Sequence, residues 1–229
     1  MKTTGARDAL LRTITVRHPK ARRAVVAALG EFRGDDAALE AVAPLAAKDS
    51  SWFVESEANR TAGKLRLPRS FEVIAANIGR PSFRGVVRNG CLDGLVELRE
   101  ERGLDLLIEA AKYGQPAQSR TTAISGIARL GQYFEGRQKE LGELLAGYLF
   151  DPDFRVRVAA ANGFRTLRDR TQAEALDRMA ERELDGRGIR VAREVGALLR
   201  AEDAAAPELR ALREDIERLR RENVGLVER

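Results

Sequence analysis

His18 is the only imidazole and Cys91 the only thiol in this chain of 229 residues. A zinc site of the HExxH kind needs two histidines one helical turn apart and a further carboxylate, so that chemistry is closed here. A cysteine nucleophile needs a base within hydrogen-bond reach, and no histidine occupies a position that matches Cys91. No G-x-x-x-x-G-K-[ST] or G-x-G-x-x-G segment is present to cradle phosphates. A lone cysteine also forbids an internal disulfide or a thiolate metal cluster. The chain therefore reads as non-catalytic, with no catalytic, cofactor-binding or metal-ligating residue and no cofactor. His18, directly before Pro19, is expected on the surface at the start of a helix.

Binding chemistry is better represented. Of 40 basic residues only six are lysines, against 35 acidic ones, for a net charge of +5. Arginine suits planar recognition of carboxylate and phosphate. Here Asp and Glu interleave with it nearly everywhere, which argues against a phosphate groove for nucleic acid. Four arginines, Arg88, Arg120, Arg157 and Arg190, recur at equivalent positions of a repeat. They read either as inter-repeat ion pairs, with Asp49, Asp151 and Asp185 as partners, or as a basic groove for a protein partner. Trp52, the only tryptophan, stands with Phe53 and Glu55 in the most unusual cluster of the sequence. Trp52 reads either as a wedge between repeats or as an exposed anchor.

The elements that position these residues follow from internal periodicity. Six segments align without gaps: 22–32, 55–65, 88–98, 120–130, 157–167 and 190–200. Their starts are 33, 33, 32, 37 and 33 residues apart. Column one holds Arg22, Glu55, Arg88, Arg120, Arg157 and Arg190. Column four runs Val25, Ala58, Cys91, Ala123, Ala160 and Arg193, which makes Cys91 a core thiol. Column seven is small throughout: Ala28, Thr61, Gly94, Gly126, Gly163 and Gly196. Columns four, seven, eight and eleven share one helical stripe. Glycine costs about 1 kcal/mol of helix propensity, so a small column signals close helix packing. A second helix fits after each of the first five copies, at 36–47, 69–78, 104–113, 139–149 and 171–183, with Pro44 expected to kink the first. Turn signals such as Gly34-Asp35, Gly114-Gln115-Pro116 and Asp151-Pro152 separate them. Strand-like alternation is absent.

One hairpin cannot bury its stripe alone, whereas stacked hairpins share one interior. The expected fold is all-α, an α-α superhelix of about six helical hairpins. The period, the RxxAxxALxxL-like inner helix and the 151–160 run Asp-Pro-Asp-Phe-Arg-Val-Arg-Val-Ala-Ala resemble HEAT repeats over about residues 16–200. A narrower resemblance lies in Asp49-Ser-Ser-Trp-Phe-Val-Glu-Ser-Glu-Ala58, followed by Ala62-Gly-Lys-Leu65. It is similar to a segment in the C-terminal HEAT region of bacterial aminopeptidase-N-like zinc peptidases. Tyr113-Gly-Gln-Pro116 with its arginine-rich helix, and the 212–223 stretch, resemble that region too. The resemblance implies a module that packs against a peptidase catalytic domain or shapes access to it. It carries over no catalytic residue, because no position here matches. The expected role is protein interaction, within such a peptidase or as a stand-alone HEAT adaptor; nucleic-acid binding is the weaker alternative.

Residues 1–201 are expected to form the solenoid and 202–229 a hinge and a C-terminal helix. Leu209, Leu212, Ile216, Leu219, Asn223 and Leu226 follow 3–4 spacing. With Leu209 at a, Ile216 and Asn223 at a and leucines at d favour a parallel two-stranded coiled coil and a homodimer. Folding back as a cap on the last repeat is the other outcome. No apolar run is long enough to span a bilayer, and no signal-peptide core opens the chain. The location expected on that basis is cytoplasmic.

Overall fold

The computed structural model describes residues 3–201 and the single later position Ile216. Every regular element among the described residues is helical. In chain order these are α1 (Thr4–Thr13), α2 (Pro19–Leu29), α3 (Asp36–Ala47), α4 (Trp52–Leu65), α5 (Ser70–Asn77) and α6 (Val86–Leu98). They continue with α7 (Gly103–Ala111), α8 (Ala117–Gly131), α9 (Gln138–Tyr148), α10 (Phe154–Leu167) and α11 (Ala173–Arg182). A twelfth, α12, begins at 186 and is described to 201.

Local chemistry sets several starts. Thr3 caps α1, Asp35 caps α3 by accepting from Ala38 N–H at 2.8 Å, and Asp153 caps α10. Pro19 stands at the first position of α2, where its missing N–H costs nothing. Pro44 lies inside α3, and the helical assignment continues through it to Ala47.

The inner helices α2, α4, α6, α8 and α10 stack in order, and α3, α5, α7 and α9 pack across their junctions as a second layer. Helix α1, which the repeat pattern did not anticipate, joins that second layer against α2 and α3. In the second to fifth copies the repeat columns have the burial expected of them. Ala58, Cys91, Ala123 and Ala160 in column four are fully buried, as are Leu95, Ile127 and Phe164 in column eight. Each large side chain so buried contributes about 1.5–3 kcal/mol. Burial drives the Cys91 thiol up to about 12, so at neutral pH it is a protonated core group.

The small column marks graded contact. A methyl group at Gly94 would lie 2.5 Å from the Asn59 carbonyl oxygen, and one at Gly126 2.8 Å from a Leu107 methyl. At Gly163 the nearest atom is 3.2 Å away, and at Gly196 3.4 Å. The tightest approach is between α4 and α6, where a methyl on Gly63 would strike the Gly94 carbonyl.

In the last copy the stripe is one residue out of register. Ala192, Val195 and Leu199 are buried, whereas Arg193 and Arg190 are exposed. Gap-free alignment placed Arg190 in column one; the burial pattern puts Ile189 there. The arginine run of this helix misled the alignment, because Arg190 and Arg193 mimic the positions of an inward stripe.

At the other end of the inner helices, Arg66, Arg99 and Arg168 close α4, α6 and α10 in the left-handed conformation, with φ of 54°, 59° and 55°. An L-residue there costs about 1–2 kcal/mol relative to a right-handed turn, and glycine is the usual occupant. A cation at a helix C-terminus recovers about 0.3–1 kcal/mol, which is less than the cost. Stability alone does not select arginine at these turns.

Of the tail positions, Ile216 is described as helical and about half exposed. Leu209, Leu212, Leu219, Asn223 and Leu226 lie outside the described residues.

Candidate protein-interaction edge

Column-one residues sit in the first turn of each inner helix, so their side chains meet the loop that leads into the next inner helix. The result is a ladder of polar rungs along one edge. Arg22 makes a two-pronged pair with Asp49, both contacts at 2.7 Å, while its third nitrogen donates to Val16 C=O. Arg120 pairs with Asp151 and donates to Ala111 C=O at 2.9 Å. Arg157 pairs with Glu183 at 2.6 and 2.8 Å and donates to the carbonyls of Asp151 and Pro152. Each rung thus ties an inner helix to two successive loops.

Two expected ladder partners hold and one is corrected. Asp49 and Asp151 pair as the spacing predicts, but Glu183 takes the place assigned to Asp185, which pairs with Arg187 instead. Asp185 lies past the end of α11, where its short side chain serves the local turn and accepts from Arg187 N–H. The second rung has reversed polarity. Glu55, 2% exposed, accepts from Asp49 N–H at 2.9 Å and pairs with Arg80 at 3.2 Å. The third rung joins Arg88 to a neutral partner, donating to the side-chain amide oxygen Oε1 of Gln115 at 2.9 Å. Arg88 Nε, Asn89 Oδ1 and Ser119 Oγ are buried there without a hydrogen-bond partner among the described residues.

The carboxylates of the charged rungs are tuned by these contacts. The Arg157 hydrogen bond, with help from the N–H groups of Asp185 and Leu184, lowers Glu183 from 4.5 to about 2 against the opposing effect of burial. A depressed carboxylate stabilises the fold above its unfolded value and loses that contribution as pH falls through its folded value. The stability gap between the native chain and Glu183→Gln is therefore expected to be full at neutral pH and to shrink between pH 4.5 and about 2. Urea unfolding of both proteins across that window measures it, and a gap constant with pH contradicts the assignment.

The burial of Arg120, 4% exposed, commits it to the interior and leaves it nothing to offer a partner. Arg157 is half-buried and Arg190 lies open on α12, 4.0 Å from Glu194. Arg88 alone of the ladder arginines has no carboxylate partner among the described residues.

Trp52 and Phe53 open α4 on this same edge, 49% and 58% exposed. They are not isolated. Phe83 precedes α6, Tyr113 precedes α8, Phe150 precedes α10 and Leu184 precedes α12, all exposed, with Tyr113 at 80% and Leu184 at 96%. The sequence reading named Tyr113 only within a resembling segment and passed over the other three, although each stands a few residues ahead of column one. The loops vary in length, which hides the recurrence from a gap-free alignment. Beside the last rung, Phe150, Leu184, Met179 and Arg182 line a hollow of about 280 Å³, with the Arg157–Glu183 pair in its wall. A smaller one of about 270 Å³ brings Phe53 against Pro19 and the Arg23 stem. No group of three or more potential metal ligands is found among the described residues.

A family described as HEAT repeats matches residues 7–95. Among solved structures, a chain in the complex of CpcE and CpcF of phycocyanin lyase from Nostoc sp. PCC7120 is similar, at 17% identity and a TM-score of 0.49. The likeness covers 87% of this chain and 96% of that one. No curated protein sequence matches. The described residues form an all-α solenoid of stacked helical hairpins, of which residues 7–95 are similar to the HEAT-repeat family.

Proposed function

We propose that this protein is a non-catalytic interaction scaffold that binds a protein partner along the edge formed by the loops entering the inner helices. The observation that carries it is the recurrence of exposed large apolar side chains at that one loop of successive repeats, while the large apolar residues of the inner-helix columns are buried. The arginines and carboxylates beneath them are largely satisfied within the fold, so the row is not needed to complete a core. Trp and Tyr are over-represented among residues that anchor interfaces. At the centre of the row, Arg88 with its neutral partner favours a binder that brings an acidic group among apolar side chains.

A test uses a random peptide display library selected against the whole chain. Selected peptides should be apolar with an acidic residue. They should lose at least about thirty-fold in affinity for the Trp52→Ser/Phe53→Ser/Tyr113→Ser protein, the loss of one strong interface anchor. These side chains are exposed, so the circular dichroism spectrum should not change. Selection of no peptide, or of peptides indifferent to the three substitutions, removes the proposal.

A second reading makes the partner the catalytic domain of a zinc aminopeptidase. Two of the three segments that resemble that family, Asp49–Ala58 and Tyr113–Pro116, lie on this edge. An HExxH segment in the same polypeptide supports it, and a full-length gene without one ends it. Homodimerisation through the 209–226 stretch is a separate proposal, resting on its 3–4 apolar spacing alone.

A further inference from the structure

The opposite edge, at the C-terminal ends of the inner helices, carries a periodic feature of another kind. Arg33, Arg66 and Arg99 recur at intervals of 33 residues, in the turns that leave α2, α4 and α6. Hydrogen bonds link these turns. Gly34 N–H donates to Leu65 C=O at 2.8 Å, and Arg66 Nε donates to Glu97 C=O at 3.0 Å. The Arg99 guanidinium lies 4.1 Å from the centre of the Tyr133 ring, at the following turn.

The three cations are close enough to repel one another. Burial, followed by the charges of Arg99 and Arg33, pushes Arg66 below the ordinary arginine value. Among the described residues, no carboxylate lies within ion-pair distance of any of the three. Four acidic residues of these turns pair with other arginines: Asp35 with Arg7 at 2.8 Å, Glu97 with Arg129 at 3.6 Å, Glu100 with Arg102 at 2.5 Å and Glu101 with Arg137 at 3.2 Å. Two of the three arginines, Arg66 and Arg99, also occupy left-handed positions better suited to glycine. Backbone strain of this kind clusters at functional sites, and here it coincides with cations outside any ion pair among the described residues.

We propose that this arginine row is a docking strip for an extended acidic segment of a protein partner, with a carboxylate at about every third residue. Packed helices stand about 8–10 Å apart, and an extended segment in the polyproline II conformation advances about 3.1 Å per residue with three residues per turn, so that every third side chain shares one face. Every third side chain of the segment therefore meets the next arginine. Nucleic acid is less well matched, since its phosphates follow one another more closely and Glu97, Glu100 and Glu101 flank the row.

The experiment uses the whole chain and fluorescent peptides carrying glutamate at every third position. A peptide of the same composition with its glutamates contiguous and a single-stranded oligonucleotide of equal charge serve as competitors. The spaced peptide should bind more tightly than either competitor, and binding should weaken as salt rises. Arg66→Gly/Arg99→Gly should bind it at least about tenfold less tightly, as expected for two lost exposed ion pairs. Its thermal midpoint should stay level or rise, because glycine relieves the left-handed turns. An unchanged affinity in the double variant, equal binding of the contiguous peptide, tighter binding of the oligonucleotide, or no peptide binding at all would each overturn the proposal.

Discussion

Arg120→Ala is expected to lower folding stability by about 3–5 kcal/mol, the cost of leaving one charge of a buried pair alone. Arg120 and Asp151 are 4% and 9% exposed. With the guanidinium gone, the Asp151 carboxylate keeps only the Asp153 N–H at 2.9 Å, and Ala111 C=O loses its donor. The double change Arg120→Met/Asp151→Leu removes both charges and should cost far less, since apolar groups of similar volume often replace such pairs without loss. Urea unfolding of the two proteins separates these effects. A single-variant cost below about 1 kcal/mol, the range of exposed pairs, would show that the rung does not hold the loops.

Gly63→Ala is the second large effect, expected at about 2–3 kcal/mol of destabilisation from overpacking. It should appear in spite of the roughly 1 kcal/mol that alanine adds to helix propensity. The added methyl would meet backbone of α6, with the Gly94 carbon atoms 2.7 and 2.8 Å away, so no side-chain rotation can make room. The same change at Gly196 provides the contrast. There the nearest atom is the flexible Arg200 guanidinium at 3.4 Å, and alanine should stabilise by up to about 1 kcal/mol. Melting curves of the two proteins should move in opposite directions, and movement in the same direction would refute the packing argument.

The core was legible in the sequence because it repeats. A stripe of small and branched residues returning about every 33 positions has one physical use in a helical chain: α4, α6, α8 and α10 each contain their aligned segment, and α3, α5, α7, α9 and α11 fall within two residues of the expected second helices. The last copy failed for a local reason. Arg190 and Arg193 imitate column positions, and only burial tells an arginine beneath a loop from one in water. The ladder was half legible. Arginine spacing predicted its rungs, but whether Asp185 or Glu183 closes the last one depends on where α11 ends. Glu55 in column one looked like an exception until its partner Arg80 was placed opposite. The exposed row of Phe83, Tyr113, Phe150 and Leu184 was least legible, since a large apolar residue in a loop reads alike whether it is covered or open.

The inverted rung at Glu55 has a genetic consequence. Tandem arrays tend to grow and shrink by unequal crossing over between copies. An exchange joining the first half of α4 to the second half of α6 would delete Arg80 and strand Glu55 in the interior as an unmatched anion. The reciprocal product would set an arginine against Arg80. A breakpoint inside this unit is therefore expected to leave a buried charge unmatched, at a cost of about 3–5 kcal/mol, whereas one between the Arg120 and Arg157 units keeps an arginine opposite a carboxylate.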